Sequence, residues 1–230
     1  MRRISRILPI LLFVGTSSFS KLQQDDAKDP LYRRMDGFQL QNETVRDALA
    51  KFNMASELSM SVETILKENL SERNVEFPRF DLKIEGGRAR DVLDRICALD
   101  SRFKWSRYKN TINVYPKSAL AAGGRYFLNR KQRLVQFKNL SDPAQAVIRT
   151  VALLPGPLEQ IAFSQVGGAG EFSVTWNPTF KNVTVRQVLD EIAEHLCSGC
   201  GWTFSGAKNF RVIRVHSKLL PEQKSAPRDK

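Results

Sequence analysis

A short unit of one strand, a tight turn and a helix occurs four times in this chain, and this repetition constrains the fold more than any other feature. In the clearest copy, residues 180–192, Thr184 and Gln187 have the spacing of a helix-capping box. Apolar residues then recur at helical spacing and predict one buried helix face: Val185, Val188, Leu189 and Ile192. The other copies are residues 40–49, residues 84–93 and, more weakly, residues 137–147.

The copies form pairs, which predicts two tandem modules. When residue 84 is aligned with residue 180, the second helices of the pairs match position by position, and one inserted residue brings the closing hairpins into register. The matched polar and aromatic pairs are Arg90 with Arg186, Asp94 with Asp190 and Trp105 with Trp202. We therefore expect an α+β fold of two modules, residues 37–116 and 133–216, each with the order β-α-β-β-α-β-β and with two helices on a small mixed sheet.

Other stretches lack this pattern. Residues 21–36 are polar and charged and predict a flexible leader, whereas residues 117–132, which contain Ala-Ala-Gly-Gly and a basic run, predict a linker. Residues 217–230 include two prolines and predict a disordered basic tail. Within the second module, Gly-Gly-Ala-Gly at residues 167–170 predicts a flexible hairpin tip.

Residues 1–20 predict a signal peptide rather than a part of the fold. Arg2, Arg3 and Arg6 give a basic start, residues 7–14 are apolar, and Ser18 and Ser20 put small side chains where a signal peptidase cuts. The apolar run is shorter than the roughly 20 residues that span a bilayer. We expect cleavage near Ser20 and a periplasmic or secreted protein, with an uncleaved membrane anchor as the alternative.

The basic composition suggests possible partners. The net charge of +12 falls to +9 when the three arginines of the signal peptide are removed. Such a charge favours polyanionic partners, namely lipid headgroups, anionic wall polymers or nucleic acid. The charges are scattered rather than clustered, which favours a role in solubility, and we expect no nucleic-acid partner.

The order of the predicted elements resembles the secretin and TonB short N-terminal domain. The resemblance is carried by the strand and helix of residues 38–49, by the second unit at residues 84–96, and by the aromatic hairpin that contains Phe103, Trp105 and Tyr115. It covers residues 38–116 well and residues 134–216 more loosely. It is a pattern of apolar and capping positions rather than an invariant signature.

The resemblance implies a function in docking. Members of that family are non-enzymatic periplasmic modules that lie in front of outer-membrane secretin rings or TonB-dependent receptors and dock other proteins. The expected partners are therefore envelope proteins of secretion or uptake machinery. Nothing after Val215 resembles a secretin ring or a receptor barrel, so we expect an accessory protein rather than a channel or a receptor.

Cys197-Ser-Gly-Cys200 is the one motif that suggests catalytic chemistry. A redox dithiol normally lies at a helix N-terminus, which stabilises the thiolate, whereas this pair follows a predicted helix. Haem attachment requires His where Gly201 stands, and zinc requires two further ligands. In an exported chain we predict a structural disulfide between Cys197 and Cys200, with redox activity, a metal site or free thiols as alternatives. Cys97 is expected to be a buried thiol, and the odd cysteine count leaves an intermolecular bond open.

Three arginines are candidates for a docking surface. Arg46, Arg90 and Arg186 recur in the first turn of their predicted helices, where a positive charge is mildly unfavourable because of the helix dipole. Either a carboxylate partner within the module or a docking contact would explain them. The matched Trp105 and Trp202 are predicted to be core residues rather than a base-stacking platform, since they recur at equivalent positions.

Three repeated asparagines have two interpretations. Asn42, Asn139 and Asn182 each begin a glycan-acceptor pattern, but they also lie on the repeated strand-to-helix turn. Asn favours such a turn, and the Ser or Thr that follows can cap the helix. The turn explains these residues without a glycan.

Together these features predict an exported, non-enzymatic protein that docks other proteins of the cell envelope. We expect no catalytic residue, metal or cofactor. The alternatives are a binder of anionic envelope polymer or lipid, and a periplasmic thiol oxidoreductase that uses Cys197 and Cys200. The sequence has no Ser-His-Asp or His-Glu-x-x-His motif and no convincing carboxylate pair.

Overall fold

The protein has an α+β fold, as predicted. The computed structural model describes residues 29–64, 77–152, 160–166, 175–207 and 210–217. We refer to residues 29–122 as the first half and to residues 123–217 as the second half. The helices are α1 (Val45–Ser56), α2 (Ala89–Leu99), α3 (Lys117–Ala121), α4 (Pro143–Ala152) and α5 (Val185–Leu196). The 3-10 turns are Pro30–Tyr32, Gly123–Arg125 and Phe127–Asn129.

The strands repeat in the two halves. Those of the first half are β1 (Arg34–Met35), β2 (Phe38–Glu43), β3 (Ser59–Glu63), β4 (Phe80–Ile84), β5 (Gly87–Arg88), β6 (Phe103–Tyr108) and β7 (Thr111–Pro116). Those of the second half are β8 (Lys131–Gln136), β9 (Gln160–Val166), β10 (Thr179–Thr184), β11 (Gly201–Ala207) and β12 (Phe210–His216). In each half one pair of strands, β2 with β4 or β8 with β10, forms an antiparallel ladder of its own.

Three strands from each half join in one six-stranded sheet, in the order β6-β7-β3-β11-β12-β9. The hairpins β6–β7 and β11–β12 are antiparallel, and the other pairings in this sheet are parallel. We expected a separate small sheet in each module. The difference arises because β3 of the first half pairs with β11 of the second half, so that two strand edges cover each other.

Each half nevertheless has its own hydrophobic core. In the first half α1 and α2 pack together and bury Phe52 and Ile96, and in the second half α5 buries Ile192 against Trp202 and neighbouring apolar residues. Burying one such side chain fully stabilises the fold by roughly 1.5–3 kcal/mol. The apolar helix faces predicted from the repeat are these core faces.

The repeated strand-to-helix turn has the same kind of backbone in every copy. Asn42, Asn139 and Asn182 have φ angles of 51°, 55° and 54°, and Gly86, at the equivalent position of the remaining copy, has a φ of 125°. Asn and Gly are the residues that adopt positive φ most readily. This requirement of the backbone explains why asparagine recurs there.

The predicted helix cap is also present. The backbone N–H of Thr184 donates to Gln187 Oε1 at 2.8 Å, and the backbone N–H of Gln187 donates to Thr184 Oγ1 at 3.3 Å. Thr44 and Asp47 form the same reciprocal pair at the start of α1. Both helices therefore begin where the sequence predicts.

Parts of the predicted leader and linker belong to the fold. Residues 29–36 were expected to be flexible, but they form a 3-10 turn and β1, because Leu31 and Met35 are buried in the first core. The predicted linker forms α3, two 3-10 turns and the start of β8, and Phe127 and Leu128 within it are buried in the second core. The predicted signal peptide, the hairpin tip at residues 167–170 and residues 218–230 of the predicted tail lie outside the described residues.

Candidate functional site

The two halves meet where β11 runs parallel to β3. Thr203 is paired with Val62, and Phe204 is paired with Glu63. The backbone N–H of Thr64, just beyond β3, donates to Phe204 O at 2.8 Å. We call this region the junction.

Glycine at the start of β11 allows the strands of the junction to approach. A Cβ atom at Gly201 would lie 1.9 Å from the carbonyl oxygen of Met60. Carbon and oxygen atoms that are not bonded do not approach so closely, so any other residue would force the strands apart. The junction therefore depends on a residue without a side chain at this position.

A buried carboxylate lies at the centre of the junction. Asp190 on α5 is only 1% exposed. Its Oδ1 accepts from the indole Nε1 of Trp202 at 2.7 Å and from the hydroxyl of Ser61 at 3.3 Å, and its Oδ2 accepts from Nδ2 of Asn113 at 2.8 Å. Burial raises the pKa of Asp190 to about 7, although these hydrogen bonds and the charge of Arg186 act in the opposite direction. One side chain thus ties α5 to strands of both halves.

A buried ion pair lies beside this carboxylate. Arg186 Nε is 2.5 Å from Glu63 Oε1, and the two side chains are 13% and 1% exposed. Glu63 Oε2 also accepts from the hydroxyl of Tyr126 at 2.9 Å. The guanidinium of Arg186 donates to Asn129 and lies 4.8 Å from the ring centroid of Tyr115. Burial raises the pKa of Glu63, and Arg186 and then Tyr126 oppose this shift.

Polar contacts surround the junction at its rim. Glu191 on α5 accepts from the hydroxyl of Tyr108 at 3.1 Å and forms an ion pair with Lys109. Glu194, one turn further on, accepts from Nδ2 of Asn110 at 2.8 Å. Helix α5 therefore packs across the hairpin of the first half as well as on its own core.

The residues of the first half that align with residues of the junction lie on an exposed surface. We call this surface, made of Arg90 and Asp94 on α2 and of Lys104 and Trp105 on β6, the open face. Trp105 Nε1 donates to Asp94 Oδ1 at 2.7 Å, which is the bond that Trp202 makes in the junction. Arg90 Nε is 4.0 Å from Asp94 Oδ2, and both side chains are about half exposed, at 52% and 54%.

The open face forms one wall of a groove at the end of the shared sheet. Its residues, together with Cys97 and Lys117, line a groove of about 620 Å³. Within the described part of the chain, strand β6 is the last strand of the six-stranded sheet on this side. An edge strand presents backbone N–H and C=O groups that can pair with another strand. The aligned arginine, aspartate and tryptophan are therefore buried against a strand in the second half, whereas in the first half they are at least partly exposed beside an edge strand of the described sheet.

The structure does not bring the three predicted docking arginines together. Arg186 is inside the junction and therefore does not belong to an exposed docking surface. Arg90 belongs to the open face, and Arg46 is half-buried on α1. Arg90 has a carboxylate partner in its own half, Asp94, which is one of the two explanations expected for arginine in a first helical turn. Arg186 instead pairs with Glu63 of the other half, so its partner lies outside its own module.

The cysteines form one bond and one buried thiol. The predicted disulfide between Cys197 and Cys200 is present, with 5.2 Å between the Cα atoms, and it follows the C-terminal end of α5. Cys97 is a buried free thiol. Burial and then the charge of Asp94 raise the pKa of Cys97 to about 12, so this thiol stays protonated and is a weak nucleophile at neutral pH.

The two matched tryptophans differ in environment. Trp202 is fully buried in the second core, as predicted. Trp105 packs partly against the first core but keeps one side on the open face. The difference arises because a strand of the other half covers only Trp202.

The described part of the chain contains no candidate metal site and no candidate membrane-spanning helix. Across residues 29–64, 77–152, 160–166, 175–207 and 210–217, no group of three or more His, Cys, Asp and Glu side chains is arranged to hold a metal ion. The helices within these same ranges lack the combined length and apolar character that a membrane-spanning helix needs.

Several residues of the junction were not singled out in the sequence. Ser61, Glu63 and Asn113 have the pattern of ordinary polar residues in strands. The available signal was the alignment of Asp94 with Asp190 beside the aligned tryptophans, because an acid that recurs on a helix face opposite a tryptophan suggests a hydrogen-bonded pair.

Comparisons with known proteins give no match. No family model matches the chain, and no curated protein or solved structure matches it significantly.

Proposed function

We propose that this protein is an exported, non-enzymatic docking module of the cell envelope, and that it binds other proteins through the open face. The observation that carries the proposal is the repetition of one binding surface. The hydrogen-bonded Asp–Trp pair and neighbouring arginine that join the second half to a strand of the first half recur on the open face, where the arginine and aspartate are about half exposed and the tryptophan is partly exposed.

The composition of the open face suits protein binding. Tryptophan and arginine are enriched among the residues that contribute most to protein interfaces, and here Arg90 and Trp105 lie beside a groove and beside β6, the last strand of the described sheet. A partner strand added beside β6 would form backbone hydrogen bonds, while the groove would select its side chains. The junction is an example of such strand addition within the chain itself.

Two further observations support the cellular setting of the proposal. The N-terminal residues have the features of a signal peptide, and the order of elements resembles modules that dock envelope proteins. Docking requires no reacting groups, and the thiol of Cys97 beside the groove is held protonated. We therefore propose machinery of secretion or uptake as the setting in which the open face binds.

The test is site-specific crosslinking in intact envelopes of the source cell. A photoreactive amino acid replaces Lys104, which is on the open face, and in a matched control it replaces Met54, which is 47% exposed on α1. Crosslinked proteins are then identified by mass spectrometry. We expect a reproducible protein partner from position 104 that is absent from position 54 and is lost when Trp105→Ala is added.

Other outcomes would reject the proposal. If both positions give the same products, the open face has no special role. If neither gives a protein and the chain instead fractionates with wall or lipid material in a salt-dependent way, the protein binds anionic envelope polymer or lipid.

A further inference from the structure

We propose that the open face binds an extended segment of another protein in which serine is followed, two residues later, by glutamate and then by serine or threonine. This inference rests on the docking function proposed above and names the chemistry of its partner. The template is the segment that the second half already binds in the junction, residues 61–64, which read Ser-Val-Glu-Thr at the end of β3.

The serine of this template contacts two groups that have counterparts on the open face. In the junction, Ser61 Oγ donates to Asp190 Oδ1 and accepts from the backbone N–H of Trp202, both at 3.3 Å. Asp94 and Trp105 occupy the aligned positions in the first half, and they share the same carboxylate–indole bond. A serine hydroxyl at the open face would therefore meet an acceptor and a donor, as it does in the junction.

The backbone of β6 presents its groups in the direction that this contact needs. Trp105 lies three residues before Tyr108, the last paired residue of its strand, and Trp202 lies five residues before Ala207. Hydrogen bonding alternates along an antiparallel ladder, and both separations are odd, so the N–H groups of both tryptophans point away from the hairpin partner. Among the described strands, only β7 pairs with β6, so none pairs on that outer side.

The glutamate of the template binds an arginine that the open face repeats. In the junction, Glu63 Oε1 accepts from Arg186 Nε at 2.5 Å. The aligned Arg90 has its Nε 4.0 Å from Asp94 Oδ2, which is too long for a hydrogen bond. The lining of the groove contains Arg90, two lysines and a single carboxylate. A glutamate of the partner would thus meet a surplus of positive charge and could form a charge-assisted hydrogen bond with Arg90.

The sequence indicates that the segment comes from another protein. Serine followed two residues later by glutamate occurs once in the chain, at Ser61, and that copy is paired with β11. A single segment also lacks the neighbouring strand that supplies Asn113 to the buried carboxylate of the junction. Because Asp94 is about half exposed, water can solvate it on that side. We therefore expect binding that is weaker than the junction and reversible.

One difference between β6 and β11 limits where the pairing can begin. Lys104 stands where β11 has Gly201, and a Cβ atom at Gly201 would lie 1.9 Å from the carbonyl oxygen of Met60, the residue before the serine. The open face therefore excludes this carbonyl from the position that it has in the junction. We expect pairing to begin at the serine, with the preceding chain turned away from β6.

Peptide binding tests the recognition of the serine and the glutamate. A peptide with a free N-terminus, the sequence Ser-Val-Glu-Thr-Ile-Leu and a fluorophore at its C-terminus is titrated with the mature chain, and its anisotropy is measured. We expect saturable binding that weakens at least about tenfold when alanine replaces the serine or glutamine replaces the glutamate. Arg90→Gln should weaken binding similarly and make the glutamate and glutamine peptides bind equally. Arg95→Gln, exposed on α2 outside the groove lining, is the matched control and should bind as wild type does.

A longer peptide tests the fit beside Lys104. Met-Ser-Val-Glu-Thr-Ile-Leu restores the excluded carbonyl and is expected to bind wild type at least about tenfold more weakly than the shorter peptide does. Lys104→Gly removes the Cβ and should abolish this difference. Ser106→Gly is the control, because it also places glycine at an exposed position of β6 but not at the close approach, and it should keep the difference.

The outcomes separate this inference from the proposed function. The inference is rejected if the peptide does not bind at up to about 1 mM protein, if Arg90→Gln leaves binding unchanged, or if wild type binds both peptide lengths equally. If position 104 captures an envelope protein whose crosslinked segment lacks this serine and glutamate, the docking function stands and the inference fails. If the peptides behave as expected but position 104 captures no protein, the recognition chemistry stands and the docking function fails.

Discussion

The raised pKa of Asp190 predicts that the protein loses stability as the pH rises from about 4 to about 8. Burial raises its pKa from 3.8 to about 7, so the folded protein binds this proton more tightly than the unfolded chain does. The stability that the bound proton contributes is complete below the unfolded pKa and is lost as the pH rises through the folded pKa. A shift of about three units at 1.36 kcal/mol per unit corresponds to about 4 kcal/mol. More than half of this is lost as the pH rises from about 5 to about 8.

The pKa values of neighbouring groups are also shifted by folding, so a comparison with a variant is required. Glu63 has a raised pKa and acts in the same direction as Asp190. His216 acts in the opposite direction, because burial lowers its pKa to about 4 and the folded protein binds its proton less tightly than the unfolded chain does. Arg186 and Tyr108 also face the carboxylate. The measured quantity is therefore the difference in free energy of unfolding between wild type and Asp190→Asn at each pH, in which unchanged groups largely cancel.

Asparagine is a suitable replacement because the surrounding hydrogen bonds can adapt. It keeps an acceptor for Trp202 and Ser61 but presents an amide where Asp190 accepts from Asn113. Asn113 Oδ1 accepts no hydrogen bond from any residue that the structure describes, so a turned Asn113 amide can accept from the new group.

The assay is urea unfolding followed by tryptophan fluorescence at a series of pH values. The difference between the two proteins is expected to shift in favour of Asp190→Asn as the pH rises. Asp94→Asn, measured in the same way, controls for loss of a carboxylate–indole bond at an exposed site. A difference between wild type and Asp190→Asn that stays constant with pH would refute the argument that the junction removes water from this carboxylate.

Further predictions concern the other contacts of the junction. Arg186→Met leaves the buried Glu63 without its cation and should cost about 3–5 kcal/mol, part of which a second change, Glu63→Gln, restores in urea unfolding. Trp202→Phe removes a donor from a buried carboxylate and should cost about 1–3 kcal/mol, whereas Trp105→Phe at the exposed counterpart should cost less than about 0.5 kcal/mol. Equal losses would mean that the two sites do not differ in burial. Gly201→Ala should cost about 1–3 kcal/mol in thermal unfolding, and an unchanged midpoint would contradict the close approach of the strands.

The helices and their turns could be predicted from the sequence because their determinants are local. The cap of α5 joins Thr184 to Gln187, and the turn before it depends on the positive φ of Asn182. The disulfide between Cys197 and Cys200 closes over a sequence separation of 3. Such features are decided within one or two turns of chain, so the residues that form them can be recognised together.

The junction could not be predicted in the same way because it depends on which strand edges meet. Trp202 and Ser61 share a hydrogen bond although they are 141 residues apart in the sequence. Backbone groups at one strand edge resemble those at another, so local pattern does not determine the partner strand. Asp190 and Asp94 also occupy the same position in the repeated helix, and only packing of the other half buries the first of them.

The contrast between these two aspartates also defines what the open face can bind. At Asp190 the loss of water is offset by a hydroxyl from one strand and an amide from the next, in addition to the indole. Among the described residues, Asp94 is bonded to the indole and lies near a loosely placed arginine, so a partner that covers it must supply equivalent donors. A purely apolar strand edge would bury the carboxylate without them, at a cost of several kcal/mol. The open face should therefore select strand edges that carry hydroxyl, amide or guanidinium groups.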